Sequence, residues 1–180
     1  GEQKYKEGDG PMQYFEAKNS DELIFFTDRQ QAYKARVSDF EDTKASVLGT
    51  YIPSKLGFDD GESVVSLVVP GDYKANVVLF FENGKAARVE LSAWATKTNR
   101  RKLTGAYSDK SPLRSLLVLT DERDIAVFST EGRAVVFSSG LLAPKSTRNT
   151  QGVGVMTMKS RYKLDRAVFL EDTNIKNVQR

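Results

Sequence analysis

The sequence predicts an all-β, propeller-like chain, and three observations carry that prediction. Short β-branched and aromatic runs occur in pairs around polar turns. The pairs repeat along the chain, their turns falling at Arg29, Gly84 and Gly132, 55 and then 48 residues apart. No segment sustains a 3.6-residue apolar period. Repeats of ~40–50 residues carrying about four short strands each are the signature of propeller blades, so about three to four four-stranded blades are expected. They could form a closed disc or an open arc.

Each repeat opens with a hairpin. The first runs Leu23-Ile24-Phe25-Phe26-Thr27-Asp28-Arg29 and returns through Gln31-Ala32-Tyr33-Lys34-Ala35-Arg36-Val37. The second runs Val77-Val78-Leu79-Phe80-Phe81-Glu82-Asn83-Gly84 and returns through Lys85–Leu91; the third runs Asp124–Gly132 and returns through Arg133–Phe137. Asn83-Gly84 is the strongest turn signal, because Gly accepts the positive φ that hairpin turns require. Glu131-Gly132 stands in the matching place, and Arg29 is the expected degenerate counterpart. Phe25, Phe26, Phe80, Phe81 and Phe128 match one another and are expected in the blade cores.

After each hairpin comes a polar connection with a glycine, Gly49, Gly105 or Gly152, and a basic residue upstream of it, Lys44, Arg101 or Arg148. A closing strand follows: Ser63–Val69, Arg114–Leu119 and Arg166–Leu170. The blades therefore span about 21–70, 75–120 and 123–171. A further strand within 4–17, centred on Met12–Glu16, would complete or precede the first blade. Gly154 is expected at a bulge or a close backbone approach. Trp94, in a polar connection, is expected to pack at the rim.

Composition narrows the function. The 180 residues contain 39% hydrophobic and 28% charged side chains, as a globular domain requires, and no apolar run approaches the ~18 residues of a membrane span. No Cys is present, so there is neither a disulfide framework nor a thiolate metal site; no His is present, which removes the commonest general base and zinc ligand. Ser108, Ser111, Ser138, Ser139 and Ser160 consequently lack a histidine to activate them. Asp59-Asp60-Gly61-Glu62 lacks the spaced oxygens of a calcium loop and reads as a charged turn before a strand. Gly152-Val153-Gly154 opens no helix and is not a phosphate loop. A non-catalytic, cytoplasmic binding domain is expected.

Charge points to the partner. Net charge is only +3, from 27 Lys and Arg against 24 Asp and Glu, but the cations gather in the connections. Thr96–Arg114 holds six cations against Asp109, and Pro144–Arg166 holds six against Asp165, a local +5 in each; Lys34–Lys55 is only +1. Equivalent propeller loops fall at equivalent positions, so recurring cations would form a basic rim, the electrostatic footprint of duplex DNA. The residues expected to meet phosphate are Arg100, Arg101, Lys102, Lys145 and Arg148, with Lys44, Lys97 and Lys159 next. The competing reading is a propeller-type protein-interaction module with no direct DNA role, which would show an exposed apolar patch.

Tyr5-Lys6-Glu7-Gly8-Asp9-Gly10 followed by Asp21–Arg29 resembles the first blade of the C-terminal domain of the DNA gyrase A protein, a domain also found in the A protein of topoisomerase IV. Asn83–Val89 and Ser146–Val153 are similar to later copies of that blade, and the resemblance runs from about Tyr5 to Leu170. It implies a β-pinwheel, a disc whose blades exchange strands. It also implies non-sequence-specific DNA binding and bending that presents duplex for ATP-dependent strand passage. The partners implied are double-stranded DNA, the breakage-reunion domain and the ATPase subunit, in the bacterial cytoplasm at the nucleoid, with no membrane. No cofactor is implied for this chain, since ATP, Mg²⁺ and the catalytic tyrosine belong to other parts of the enzyme. The family's disc usually has five or six blades, and three are legible here. The glutamine-arginine-arginine-glycine-glycine box that wraps DNA tightly has no clear copy; Asn99–Gly105 is a degenerate echo of it. Capture and bending are therefore implied, and the choice between gyrase and topoisomerase IV stays open.

Overall fold

A computed structural model describes residues 22–40, 48–97 and 100–173. The strand expected over 4–17 lies outside them. Eleven strands are described: β1 (Glu22–Thr27), β2 (Gln31–Arg36), β3 (Val64–Val68), β4 (Asn76–Phe81), β5 (Lys85–Glu90), β6 (Lys102–Thr104), β7 (Leu113–Leu119), β8 (Asp124–Ser129), β9 (Ala134–Ser138), β10 (Val153–Gly154) and β11 (Leu164–Phe169). The three hairpins and three closing strands stand where the periodicity placed them. The chain divides into two compact units, Gly1–Gly71 with Thr96–Ala106 and Asp72–Ala95 with Tyr107–Arg180.

The first unit holds one antiparallel sheet, ordered β3-β1-β2-β6. Leu23, Phe25 and Tyr33 form its core with Ile52, backed by Phe40, Leu56 and Phe58. Ile52 and Leu56 come from α1 (Leu48–Leu56), a helix that the absence of a 3.6-residue period did not foreshadow. Two positions four apart lie on one helical face, but nine residues interrupted by Pro53 are too short to show a period.

The second unit holds two sheets, β10-β5-β4-β7 and β11-β8-β9. One core lies between them, built from Val78, Phe80 and Leu119 of the former and Ile125, Val127, Phe137, Leu164 and Ala167 of the latter. This is the face-to-face burial expected of neighbouring blades. The matching phenylalanines are buried at 25, 26, 80 and 81, whereas Phe128 is half-buried, the Arg166 guanidinium lying 4.1 Å from its ring centre. Trp94 is fully buried at the end of a 3-10 turn, not packed at the rim.

The sheets share two local devices. Each slips register at the end of its first strand, between Phe26 and Thr27, between Phe80 and Phe81, and opposite Leu164 and Arg166. Two sheets also borrow a strand from the connection of the next repeat. Leu103 of β6 pairs with Ala32 of β2, and Val153 of β10 pairs with Ala86 of β5. The borrowed strands cover the outer edges of β2 and β5, which would otherwise present unpaired amides.

That pairing corrects three details. The positive-φ residue of the first turn is Gln30 (φ 55), not Arg29, so the first turn spacing is 54 residues (84 minus 30). Gly105 and Gly152 are not equivalent: with Ala32 matched to Ala86, Lys102 takes the place of Gly152. The close backbone approach is at Gly152, where a Cβ would overlap the Ala86 carbonyl, whereas Gly154 has open space.

Candidate nucleic-acid interface

The first unit contributes the connection Thr96–Ala106. Lys97, Arg100 and Arg101 are exposed, and among the described residues none has an ion-pair partner. The Arg101 carbonyl accepts the Lys34 amide at 2.7 Å, which anchors the connection just before β6. Within β6, Leu103 is buried and Lys102 and Thr104 are exposed, as strand alternation dictates. Lys102 differs from its neighbours: its Nζ lies 3.8 Å from Asp59 and 5.6 Å from the centre of the Tyr33 ring.

Under Lys102 lies a polar cluster that the charged-turn reading of Asp59–Glu62 did not foresee. Glu62 is buried, and its carboxylate accepts from Gln31 Nε2 (2.7 Å), Tyr33 OH (2.8 Å), the Asp59 amide (2.8 Å) and the Thr27 hydroxyl. Burial alone would raise its pKa, but the hydrogen bonds from Thr27, the Asp59 amide, Tyr33 and Gln31 outweigh that and hold it below the ordinary value. Burial, and then the bond to Glu62, push the Tyr33 phenol upward. The cluster fixes the turn Asp59–Ser63 against the end of the hairpin, and so fixes the strand beside which Lys102 stands.

In the second unit, the connection after β9 carries Lys145 and Arg148. Lys145 bonds β5 twice, donating its amide to the Arg88 carbonyl (2.9 Å) and accepting from the Glu90 amide (2.8 Å). Farther along, β10 takes the same edge at Ala86 and Lys85. The residues between form a turn, closed by Thr150 Oγ1 on the Thr147 carbonyl (2.8 Å), over a cleft of about 220 Å³. Arg88 lines that cleft but is committed to the fold: it donates to Asn76 (2.7 Å), Glu122 (2.9 Å) and the carbonyls of Ser139 and Leu142. Glu122, which also accepts from Ser139 Oγ at 2.6 Å, is held below the usual carboxylate range by that bond and by Arg88.

Lys145 and Lys159 are exposed, Arg148 is half-buried, and none has an ion-pair partner among the described residues. Two further cations of these connections, Arg114 and Lys163, are occupied. Arg114 and Lys163 converge on Glu82 at 3.6 Å each, and Arg114 also reaches Asp165 at 3.3 Å. The +5 counted over each connection thus overstates the charge left for a partner. The recurrence also changes character, because Arg101 matches Gln151 in the β6 and β10 registers, not Arg148. What repeats is basic composition, not position. Lys44 lies outside the described residues.

No family model matches the chain. Among curated proteins, it is 28% identical over 134 residues, 73% of its length, to the DNA gyrase A protein of Mycoplasma pneumoniae. It is 22% identical over 163 residues, 89% of its length, to the probable chloroplastic/mitochondrial DNA gyrase A protein of Oryza sativa subsp. japonica. Among solved structures, 84% of the chain matches the C-terminal domain of DNA topoisomerase IV at TM-score 0.69 and 16% identity. The DNA gyrase A C-terminal domain matches 86% at TM-score 0.60 and 19% identity. The fold is the gyrase-type β-pinwheel. The E. coli ParC C-terminal domain, at TM-score 0.60 and 10% identity, agrees with this. The β-pinwheel here spans 16% and 17% of the two curated relatives, and 50%, 48% and 64% of the gyrase, topoisomerase IV and ParC domain chains.

Proposed function

We propose that this β-pinwheel is the DNA-binding domain of the A protein of a type IIA topoisomerase, acting at the nucleoid. It captures and bends duplex DNA without sequence preference and presents it for ATP-dependent strand passage with the breakage-reunion domain and the ATPase subunit. Support comes above all from the likeness to the gyrase A and topoisomerase IV C-terminal domains, joined by exposed cations that no carboxylate neutralises among the described residues. Cations on a phosphate backbone release condensed counterions, so affinity falls linearly in logarithm with salt, by about 0.9 per phosphate contacted. Bending ~20–30 bp costs on the order of 1–6 kcal/mol, which several such contacts offset.

The test is fluorescence anisotropy of unrelated duplexes of ~40 bp titrated across a salt series, since the slope counts phosphates. Equal affinities with a steep slope are expected. Reversal of Lys97, Arg100 and Arg101 to Glu, or of Lys145 and Arg148, should weaken binding on all duplexes and flatten the slope while thermal stability holds. Lys102 is left out of the reversal because a carboxylate there would face Asp59. No binding at low salt would overturn the proposal in favour of a protein partner.

A further inference from the structure

We infer that the outer edge of β9 pairs with the same edge of a second copy of this chain, joining two three-stranded sheets into one across a two-fold axis; the inference is independent of the DNA-binding reading above. The two preceding hairpins show what such an edge takes. In each, the turn carbonyl accepts an amide from a borrowed strand, Gln30 from Ala106 (2.9 Å) and Gly84 from Val155 (2.9 Å). The alanine two residues on faces that strand, Ala32 at Leu103 and Ala86 at Val153. Gly132 and Ala134 hold the matching places in the third hairpin. There the pairing with β8 is bracketed by the Ser129 amide on the Arg133 carbonyl (2.9 Å) and the Ser139 amide on the Arg123 carbonyl (2.8 Å). Bonded and non-bonded positions alternate in an antiparallel ladder, so Ala134, Val136 and Ser138 point their amides and carbonyls outward. Among the described residues no strand meets them.

The edge has room, and it lacks charge. Ala134 and Val135 are half-buried, whereas Ala32, Tyr33, Ala86 and Ala87 beside the borrowed strands are buried. A Cβ on Gly132 would meet nothing within 4 Å, whereas one on Gly84 would strike the Met156 carbonyl. Sheet edges are commonly blunted by charge, proline or a bulge. The opposite edge of this sheet, β11, carries Asp165, Arg166 and the register slip beside them; β9 has none of these. The covered edges also carry cations, Lys34 and Arg36 in β2 and Lys85 and Arg88 in β5. Ala134-Val135-Val136-Phe137-Ser138 carries no charge, and that selects a copy of itself, since two such strands meet antiparallel with no like charges opposed. About Val136 as centre, Ala134 faces Ser138 and Val136 faces Val136 as hydrogen-bonded pairs, while Val135 faces Phe137, a β-branched side chain against an aromatic one. Val135 and Phe137 already pack on the core of the second unit, which the pairing extends. A patch that meets itself is isologous and closes as a dimer.

The test is sedimentation of the full chain from micromolar to millimolar concentration, with residue-resolved amide exchange on the same samples. The mass should rise from 20.1 kDa to twice that value. Exchange at Ala134, Val136 and Ser138 should slow several-fold in step with it. The amides of Val135 and Phe137, which pair with Val127 and Ile125 of β8, should exchange slowly at every concentration. Ala134→Pro removes one outward amide and no bond to β8, so it should stay folded and monomeric. Should that variant unfold, the exchange pattern of the unmodified chain decides by itself. A chain that stays monomeric, a dimer that leaves those amides fast, or their protection already in the monomer by another segment of the same chain would each overturn the pairing. DNA binding, read separately from its salt slope, stands or falls apart from these outcomes.

Discussion

The first two hairpins are built alike and differ where the borrowed connection meets the turn. In both, the turn residue has positive φ and its carbonyl accepts an amide from that connection: Gln30 from Ala106 (2.9 Å), Gly84 from Met156 (3.2 Å) and also Val155 (2.9 Å). At Gly84 the connection lies so close that a Cβ would overlap the Met156 carbonyl oxygen, whereas Gln30 carries a whole side chain in the same role. The two hairpins also hold their acid differently. Glu62 in the first unit is buried and served by uncharged donors, while Glu82 in the second is part-exposed and flanked by Arg114 and Lys163. One backbone plan therefore tolerates different side chains according to how tightly the donated segment closes on it and how much water reaches it.

The sharpest way to break the comparison is Gly84→Ala. Positive φ and the backbone overlap together should destabilise the second unit by about 2–4 kcal/mol in urea unfolding. The reciprocal change, Gln30→Gly, should stay within about 0.5 kcal/mol, because relief of φ strain offsets the greater freedom of the unfolded chain. An equal response at the two turns would mean that the closeness of the connection is immaterial.

Glu62→Gln should cost about 1–2 kcal/mol, because a buried acceptor with four donors becomes partly a donor. It should also change the acid limb of stability. The Glu62 pKa is lowered on folding, so its contribution is present above the ordinary value of 4.5 and is lost as pH falls through the lower folded value. Thermal melts of the unmodified chain should decline over that range more steeply than those of Glu62→Gln. Glu82→Gln should be the smallest effect, under about 1 kcal/mol and smaller still in high salt, because its partners are surface cations. Lys163, whose ion-pair partner among the described residues is Glu82, should then strengthen the proposed duplex binding at low salt, whereas Arg114 keeps Asp165. Unchanged affinity would place this pair outside the proposed interface.

The hairpins, their turn glycines at 84 and 132, the closing strands and four of the five matching phenylalanines were legible because alternation and turn chemistry act over a few residues. By the same token, basic composition marked the connections of Lys97–Lys102 and Lys145–Arg148. What local pattern could not convey was which strand pairs with which: Ala32 meets Leu103 and Ala86 meets Val153, each across more than sixty residues. Those pairings make Gly152, not Gly154, the tight approach, and set Arg101 in register with Gln151. They also bring Lys102 over the Glu62 cluster, which a charged turn in the sequence did not suggest. Tertiary packing alone decided that α1 would be helical, since Ile52 and Leu56 are stabilised by the sheet they cover. It likewise decided which cations stay unpaired, because an ion pair such as Arg114 with Glu82 depends on folded distances. Local pattern in the sequence set the strands, their turns and the excess of basic charge in the connections; the fold decided edges, neighbours and which of those charges are tied up in ion pairs among the described residues, because such contacts exist only once distant segments are brought together.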